Sequence, residues 1–306
     1  MRRGLERILL GGQIAVLWLV GIHAAPACAD WPEFELPSFD VPAFDWPTTE
    51  ERASTLFQWR ESSPVVAEES AITTDRPDFT EASSTVGAGV CQLETGYTFV
   101  MDRDGGTTSA EHSIPEALLR VGVLRDWLEL RMAWNFSAEY LPAASTSGAE
   151  DLYVGTKLAL TLQDGLFPEM SIVPQLTIPT GSRSRTADRA LPGVNLLYGW
   201  DINDFLCAGG STQFNQTIDG ETGSEFTEWA QSWTFGYTLG EHVGAYTEWF
   251  AFFPDGAEAI QTEHYLNGGF TFRPTDDIQW DLRIGMGLND AADDLFCGVG
   301  YSVRWH

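Results

Sequence analysis

The sequence predicts an all-β fold: a transmembrane, antiparallel, up-and-down β-barrel of about twelve strands behind an extended N-terminal leader. Three observations carry this expectation. Apolar and polar residues alternate with a period of two through a dozen segments, each near the 9–11 residues that a tilted membrane strand needs. The connections between them alternate between tight turns and longer polar loops. The chain also begins with the pattern of an export signal.

Composition removes other classes. The 306 residues carry 17 Lys+Arg against 44 Asp+Glu, a formal charge of −27, with Lys157 the single lysine. Without clustered cations, nucleic-acid binding is excluded as a function class. The hydrophobic share of 43% excludes wholesale disorder. No segment after the N-terminal stretch reaches 18 consecutive apolar residues, which excludes a helical membrane protein.

Residues 1–29 read as a signal peptide. Arg2, Arg3 and Arg7 form a basic start, Ile8 to Ile22 is mainly apolar, and Ala27-Cys28-Ala29 is a small–x–small cleavage site. Residues 30–71 read as a leader. From Trp31 to Glu50 a five-residue unit repeats as WPEFE-LPSFD-VPAFD-WPTTE. Its prolines are too close for a helix and lack the N–H that a strand needs, so an extended polyproline-like form is expected. It is a tail or linker, or a tether for a periplasmic partner. Thr48 and Glu51 then make a capping box for a short helix through Trp59.

The barrel is expected over 72–306, with a mouth segment at 72–89 and strands near 90–101, 115–124, 127–138, 150–162, 168–180, 193–202, 205–216, 226–239, 243–253, 264–273, 278–289 and 295–305. In 278–289 one face is Ile278, Trp280, Leu282, Ile284, Met286 and Leu288; the other is Gln279, Asp281, Arg283, two glycines and Asn289. Tight turns follow the even strands, such as Arg125-Asp126 and Asn203-Asp204. Longer polar loops follow the odd ones, such as Asp102–His112 and Glu139–Ala149. Bacterial outer-membrane barrels are built this way, with short turns in the periplasm. A soluble barrel or sandwich also alternates. The large aromatic face, repeated twelve times, and a polar face mixing Gly with Arg and Glu favour lipid outside and water inside.

With the N-terminus periplasmic, Glu94, Arg120, Glu129, Arg131, Glu248, Asp281, Arg283 and Arg304 fall on the lumen face towards that end, with Lys157 at mid-height. Arg304 is expected within reach of Glu94 across the closing seam. This cluster is either a structural strut of paired charges or a charged constriction that selects permeants. Asp75, Arg76, Pro77, Asp78 and Glu81, just before the first strand, are placed to pair with it as a periplasmic plug or as a cap on the barrel base. Cys91, Cys207 and Cys297 form neither a disulfide framework nor a zinc site. His112, His242, His264 and His306 have no nucleophile motif or acidic dyad beside them, so no catalytic residue, metal or cofactor is assigned.

The stretch Ile72–Glu81 (ITTDRPDFTE), Gly89–Tyr97, Pro115–Gly122, Trp127–Arg131 and Gln279–Gly285 occur in order, and over about 72–306 the chain resembles the outer-membrane transporter family of the meta-pathway of phenol degradation. The resemblance implies an outer-membrane location in a diderm cell and passage of small aromatic or hydrophobic solutes. The pentapeptide leader and terminal His306 are outside the matching pattern. The rival reading is a structural or adhesion-type barrel with a blocked lumen and no transport.

Overall fold

A computed structural model describes residues 55–56, 71–220, 222–257 and 260–306. The expected signal peptide, the pentapeptide repeat and most of the leader lie outside these residues. Thr55 and Leu56 are coil, not part of the short helix expected there, and the Leu56 N–H donates to the Ala159 carbonyl at 2.9 Å.

Fifteen antiparallel strand segments form one sheet: β1 (Cys91–Asp104), β2 (Thr107–Ser113), β3 (Ala117–Gly122), β4 (Leu128–Trp134), β5 (Phe136–Leu141), β6 (Ala144–Ala149), β7 (Leu152–Thr161), β8 (Glu169–Ile178), β9 (Leu191–Asp201), β10 (Leu206–Ile218), β11 (Glu225–Thr238), β12 (Val243–Asp255), β13 (Glu263–Thr275), β14 (Ile278–Gly287) and β15 (Leu295–Trp305). The pairs β2–β3, β4–β5 and β6–β7 are each a single crossing interrupted near its middle. The wall therefore has twelve crossings, and β15 pairs with β1 from Cys91↔Trp305 to Met101↔Leu295 to close it. Closure removes both sheet edges, so no ladder group is left to lipid.

The three interruptions lie side by side. Pro115 and Glu116 oppose the single residue Asn135, and Glu150 and Asp151 break the next crossing beside it. Such bulges insert a residue and change which side chains face inward. Below the first one the inward positions become Glu116, Leu118 and Arg120, all buried; above it they are Ser109, Glu111 and Ser113.

Two expected loops are corrected. Residues 102–112 and 139–149 are not open loops but hairpins that prolong the crossings, turning at 105–106 and 142–143. Above the membrane a strand has water on its outer side, so no apolar alternation is required and none marks it in the sequence.

The outward positions form the apolar belt. Leu130, Met132, Trp134, Phe214, Trp233, Phe270, Trp280, Leu282 and Met286 are exposed, and Ile284 keeps 59% of its surface free. Trp229–Phe253 stacks across the neighbouring strands β11 and β12, and Trp200–Trp233 stacks from β9 to β11 over β10. Such a continuous apolar belt would be strongly unfavourable in water, whereas lipid satisfies it. Polar residues instead fill the inside: Gln92, Glu94, Arg120, Glu129, Lys157, Asn195, Ser211, Gln213 and Ser232 are all buried. The molecule is a transmembrane barrel of the outer membrane, with its tight-turn end periplasmic.

Candidate functional site: a segment folded inside the barrel

Residues 72–88 run from the periplasmic end into the lumen and back. Ile72 starts the path, its N–H bonded to the carbonyl of Asp276 in a periplasmic turn. The inner limit is at Phe79 and Thr80, whose N–H groups both donate to the Glu248 carboxylate, at 2.7 and 2.6 Å. On the way back the Val86 N–H donates to Glu129 and the Ala88 N–H to Asp126, which lies in the turn before β4. Pro77 near the inner end gives up no N–H, and its carbonyl accepts from Arg283 at 3.0 Å.

Asp75 is the centre of the charge network. Its carboxylate meets Arg131 at 2.6 Å, Lys157 at 3.0 Å and Arg120 at 3.3 Å, and it also accepts the N–H of Ala82 on the returning limb. Its own N–H donates to Glu94. Arg120 in turn binds Glu94 and Glu129, and reaches the carbonyls of Thr73 and Ser84 on the two limbs. Lys157 donates to the Ala82 carbonyl at 2.7 Å. Arg76 pairs with Asp281 and Glu116 and donates to the Val299 carbonyl. Glu81 pairs with Arg131 at 2.8 Å. These ions are buried and multiply paired, the condition under which a charge tolerates removal from water.

The wall is shaped to admit the segment. A Cβ built on Gly300 would stand 2.2 Å from the Asp281 carboxylate and 2.3 Å from Arg76 Nε, so a side chain there would displace this ion pair. Beside the segment, on the periplasmic side, a cavity of about 520 Å³ is lined by Thr73, Asp78, Ser83, Glu169, Cys207 and Thr234. Cys207 faces inward there as a free thiol.

Of the predicted lumen charges, Glu94, Arg120, Glu129, Arg131 and Lys157 form one network around Asp75, and Asp281 joins Arg76. Glu248 stands apart, holding the inner end. Two placements are corrected. Lys157 is opposite Glu129, second residue of β4, and so lies towards the periplasmic end and not at mid-height. Arg304 does not meet Glu94: the seam puts Ser302 opposite Glu94, and Arg304 turns to Asp277 at 2.9 Å in the last periplasmic turn. Burial is the largest single influence and raises the Asp277 carboxyl, but the hydrogen bonds and charges of Arg304 and His306 together outweigh it and hold the group below its ordinary value.

The histidines are separate from one another. His112 bonds Tyr97 Oη on the outer face, His264 stacks on Trp249, and His306 is on Asp277. His242 is in the turn before β12.

Three inward features escaped the sequence reading. Glu116 holds Arg76, but only the bulge turns it inward. The extracellular half is acidic and bridged by Arg185, which pairs with Glu111 and Glu139 from the loop before β9. In the same half, the loop before β15 folds inward, and burial beside Glu263 raises the Asp293 carboxyl well above its ordinary value. The third is an aromatic cluster inside the lumen: Phe79 stacks on Phe250 at 4.7 Å, and Phe252, Tyr265 and Phe296 surround them. Aromatic residues at both parities of Tyr246–Phe253 were the available signal for it.

Comparison with known proteins adds the following. The family described as "Putative MetA-pathway of phenol degradation" matches residues 74–305. Among solved structures, the NanC porin in a rhombohedral crystal form is similar at 11% identity and TM-score 0.45, over 70% of this chain and 98% of that one. The KdgM porin in complex with disordered oligogalacturonate aligns at 11% identity and TM-score 0.43, over 70% and 99%. The translocator domain of the autotransporter NalP from Neisseria meningitidis aligns at 11% and 0.48, over 72% and 89%. No curated protein matches the chain.

Proposed function

From the premise that the chain belongs to this phenol-degradation family, we propose that it is an outer-membrane channel for small solutes, aromatic or hydrophobic ones among them, closed by residues 72–88 acting as a plug. The observation that carries the reading is the position of Phe79. An aromatic ring on a segment separate from the wall occupies an aromatic cluster in a largely polar lumen. A lumen surface that accepts that ring accepts the ring of a solute once the segment leaves. The charged cluster then holds the plug and is not itself the selecting surface. A periplasmic partner that takes the Trp31–Glu50 repeat is part of this proposal, since residues 51–71 join that repeat to the segment that begins at Ile72.

Deleting residues 73–81 and recording single-channel conductance tests the plug. Conductance is expected to rise several-fold, and unchanged conductance through an intact barrel overturns the plug. Liposome swelling with sugars, amino acids and small aromatic acids tests the channel. The rival, a structural or adhesion barrel, is favoured by the density of buried ion pairs; it predicts no flux of any solute, with or without the segment.

A further inference from the structure

Between Glu169 and Asp201 at the periplasmic end and Glu228 further out, every inward side chain on β8 to β11 is uncharged. They include Ser171, Gln175, Asn195, Gln213, Asn215 and Ser232, all buried. Four of these are amides, and their hydrogen bonds run in one direction. Tyr153 Oη donates to Gln175 Oε1 at 3.0 Å, Gln175 Nε2 to Asn215 Oδ1 at 2.7 Å, and Asn215 Nδ2 to Gln213 Oε1 at 3.4 Å. Gln213 Nε2 then has no acceptor among the described residues. Directly across the β9–β10 pairing stands Asn195. Its Nδ2 donates to Glu81 Oε2 at 3.5 Å, and Glu81 is held by Arg131, but its Oδ1 has no donor among the described residues.

The relay therefore runs along the wall from β7 to β10, ends on the closing segment, and is broken at one place. One free donor and one free acceptor, each on a side chain about 1% exposed, are cross-strand neighbours. The backbone makes room for it: a Cβ on Gly193 would fall 2.0 Å from Asn215 Oδ1 and 3.1 Å from Gln175 Nε2. A hydroxyl can accept and donate at once, so it satisfies both orphaned atoms; a carboxylate can only accept and an ammonium only donate. Buried amide groups left unmatched are costly, so this preference is enforced.

We propose that the amide belt Gln175–Asn215–Gln213–Asn195 is a solute subsite selecting uncharged, hydroxyl-bearing molecules, with Gln213 as donor and Asn195 as acceptor to the hydroxyl. The proposal rests on the channel reading and gives it a substrate class. Because Asn195 also holds Glu81, occupancy of the subsite bears directly on the plug.

The test uses full-length protein in liposomes, comparing uptake of xylitol with uptake of xylonate, its carboxylate counterpart. Wild type, Asp75→Ala to loosen the plug, and each of these combined with Gln213→Met or Gln213→Glu are measured, with heat-modifiable migration confirming folded barrels. Xylitol uptake is expected to fall about fivefold in both Gln213 variants, the loss for one hydrogen bond, and the xylitol-to-xylonate ratio falls with it in Gln213→Met, whereas in Gln213→Glu the added charge also repels xylonate. Unchanged xylitol uptake in a variant that folds overturns the subsite and leaves the channel standing. No uptake of either solute in any variant overturns the channel reading, and the subsite with it.

Discussion

The two sides of this lumen grip the same segment by different chemistry. Along β1, β3, β4, β7 and β14 the inward side chains include the ions Glu94, Arg120, Glu129, Arg131, Lys157 and Asp281, and residues 73–82 are threaded among them. Asp75 alone answers three cations. Along β8 to β11, between Glu169 and Asp201 at one end and Glu228 at the other, the inward side chains are uncharged, and the segment meets them through single hydrogen bonds, such as Thr80 Oγ1 with Ser232 Oγ at 2.6 Å. A buried ion that loses its partner costs about 3–5 kcal/mol, whereas a neutral hydrogen bond is worth about 1. The ionic side is therefore an anchor and the neutral side a surface that lets go. An opening would start on the neutral side, next to the cavity lined by Cys207 and Thr234.

The largest expected effect breaks the anchor. Asp75→Ala leaves Arg120, Arg131 and Lys157 short of their shared counter-ion, at about 3–5 kcal/mol. As Lys157 is the only lysine, a water-soluble amine reagent should modify it in the variant and leave it untouched in wild type, read by peptide mapping. Equal protection in both would show that the anchor does not depend on Asp75. Phe79→Ala should cost about 3 kcal/mol by leaving a hole in the aromatic cluster. It should lower the denaturant midpoint while leaving the labelling of Lys157 nearly unchanged, separating packing from ionic grip.

Smaller changes sharpen the contrast. Ser232→Ala removes a neutral contact to Thr80 and should shift stability by about 1 kcal/mol or less, with the denaturant midpoint as readout. A loss as large as that of Asp75→Ala would erase the distinction between the two sides. The smallest effect belongs to the last periplasmic turn. The folded Asp277 carboxyl lies below its ordinary 3.8, so its stabilisation is present above that value and fades as the pH falls through the depressed one. The site is exposed, so Asp277→Asn should lower the melting temperature by about 1 °C or less at neutral pH, and that difference should vanish in strong acid.

Much of this architecture can be read from residue order. Alternation fixes the twelve crossings because membrane strands must show an apolar face to lipid, and the same parity turns Glu94, Glu129 and Asp281 inward. Legibility ends where that requirement ends. The hairpins at 102–113 and 139–149 stand in water on their outer side, so nothing in Thr107–Ser113 marks a strand. The bulge at Pro115–Glu116 changes parity and hides Glu116 from any period-two reading. Phe250 and Phe252 look like lipid-facing residues because they are apolar, yet they face a lumen in which the segment supplies an apolar partner. Pairings such as Arg304 with Asp277 depend on how one turn is folded, which spacing does not encode. The amide relay escaped for a similar reason: Gln175, Asn195, Gln213 and Asn215 are ordinary lumen residues until the register sets them side by side.

Arg76 also has a consequence for assembly. It precedes β1 in the chain, yet its partner Asp281 is 205 positions away, and Gly300, which leaves room for it, belongs to the final strand. What is synthesised early can be seated only by what is synthesised late. Contacts of such sequence separation are slow to form, because the intervening chain must be organised before they are rewarded. Docking of the segment and sealing of the β1–β15 seam are then bound into one late event, and a barrel trapped before sealing would expose the Arg76 region to proteases while most of its wall was already built.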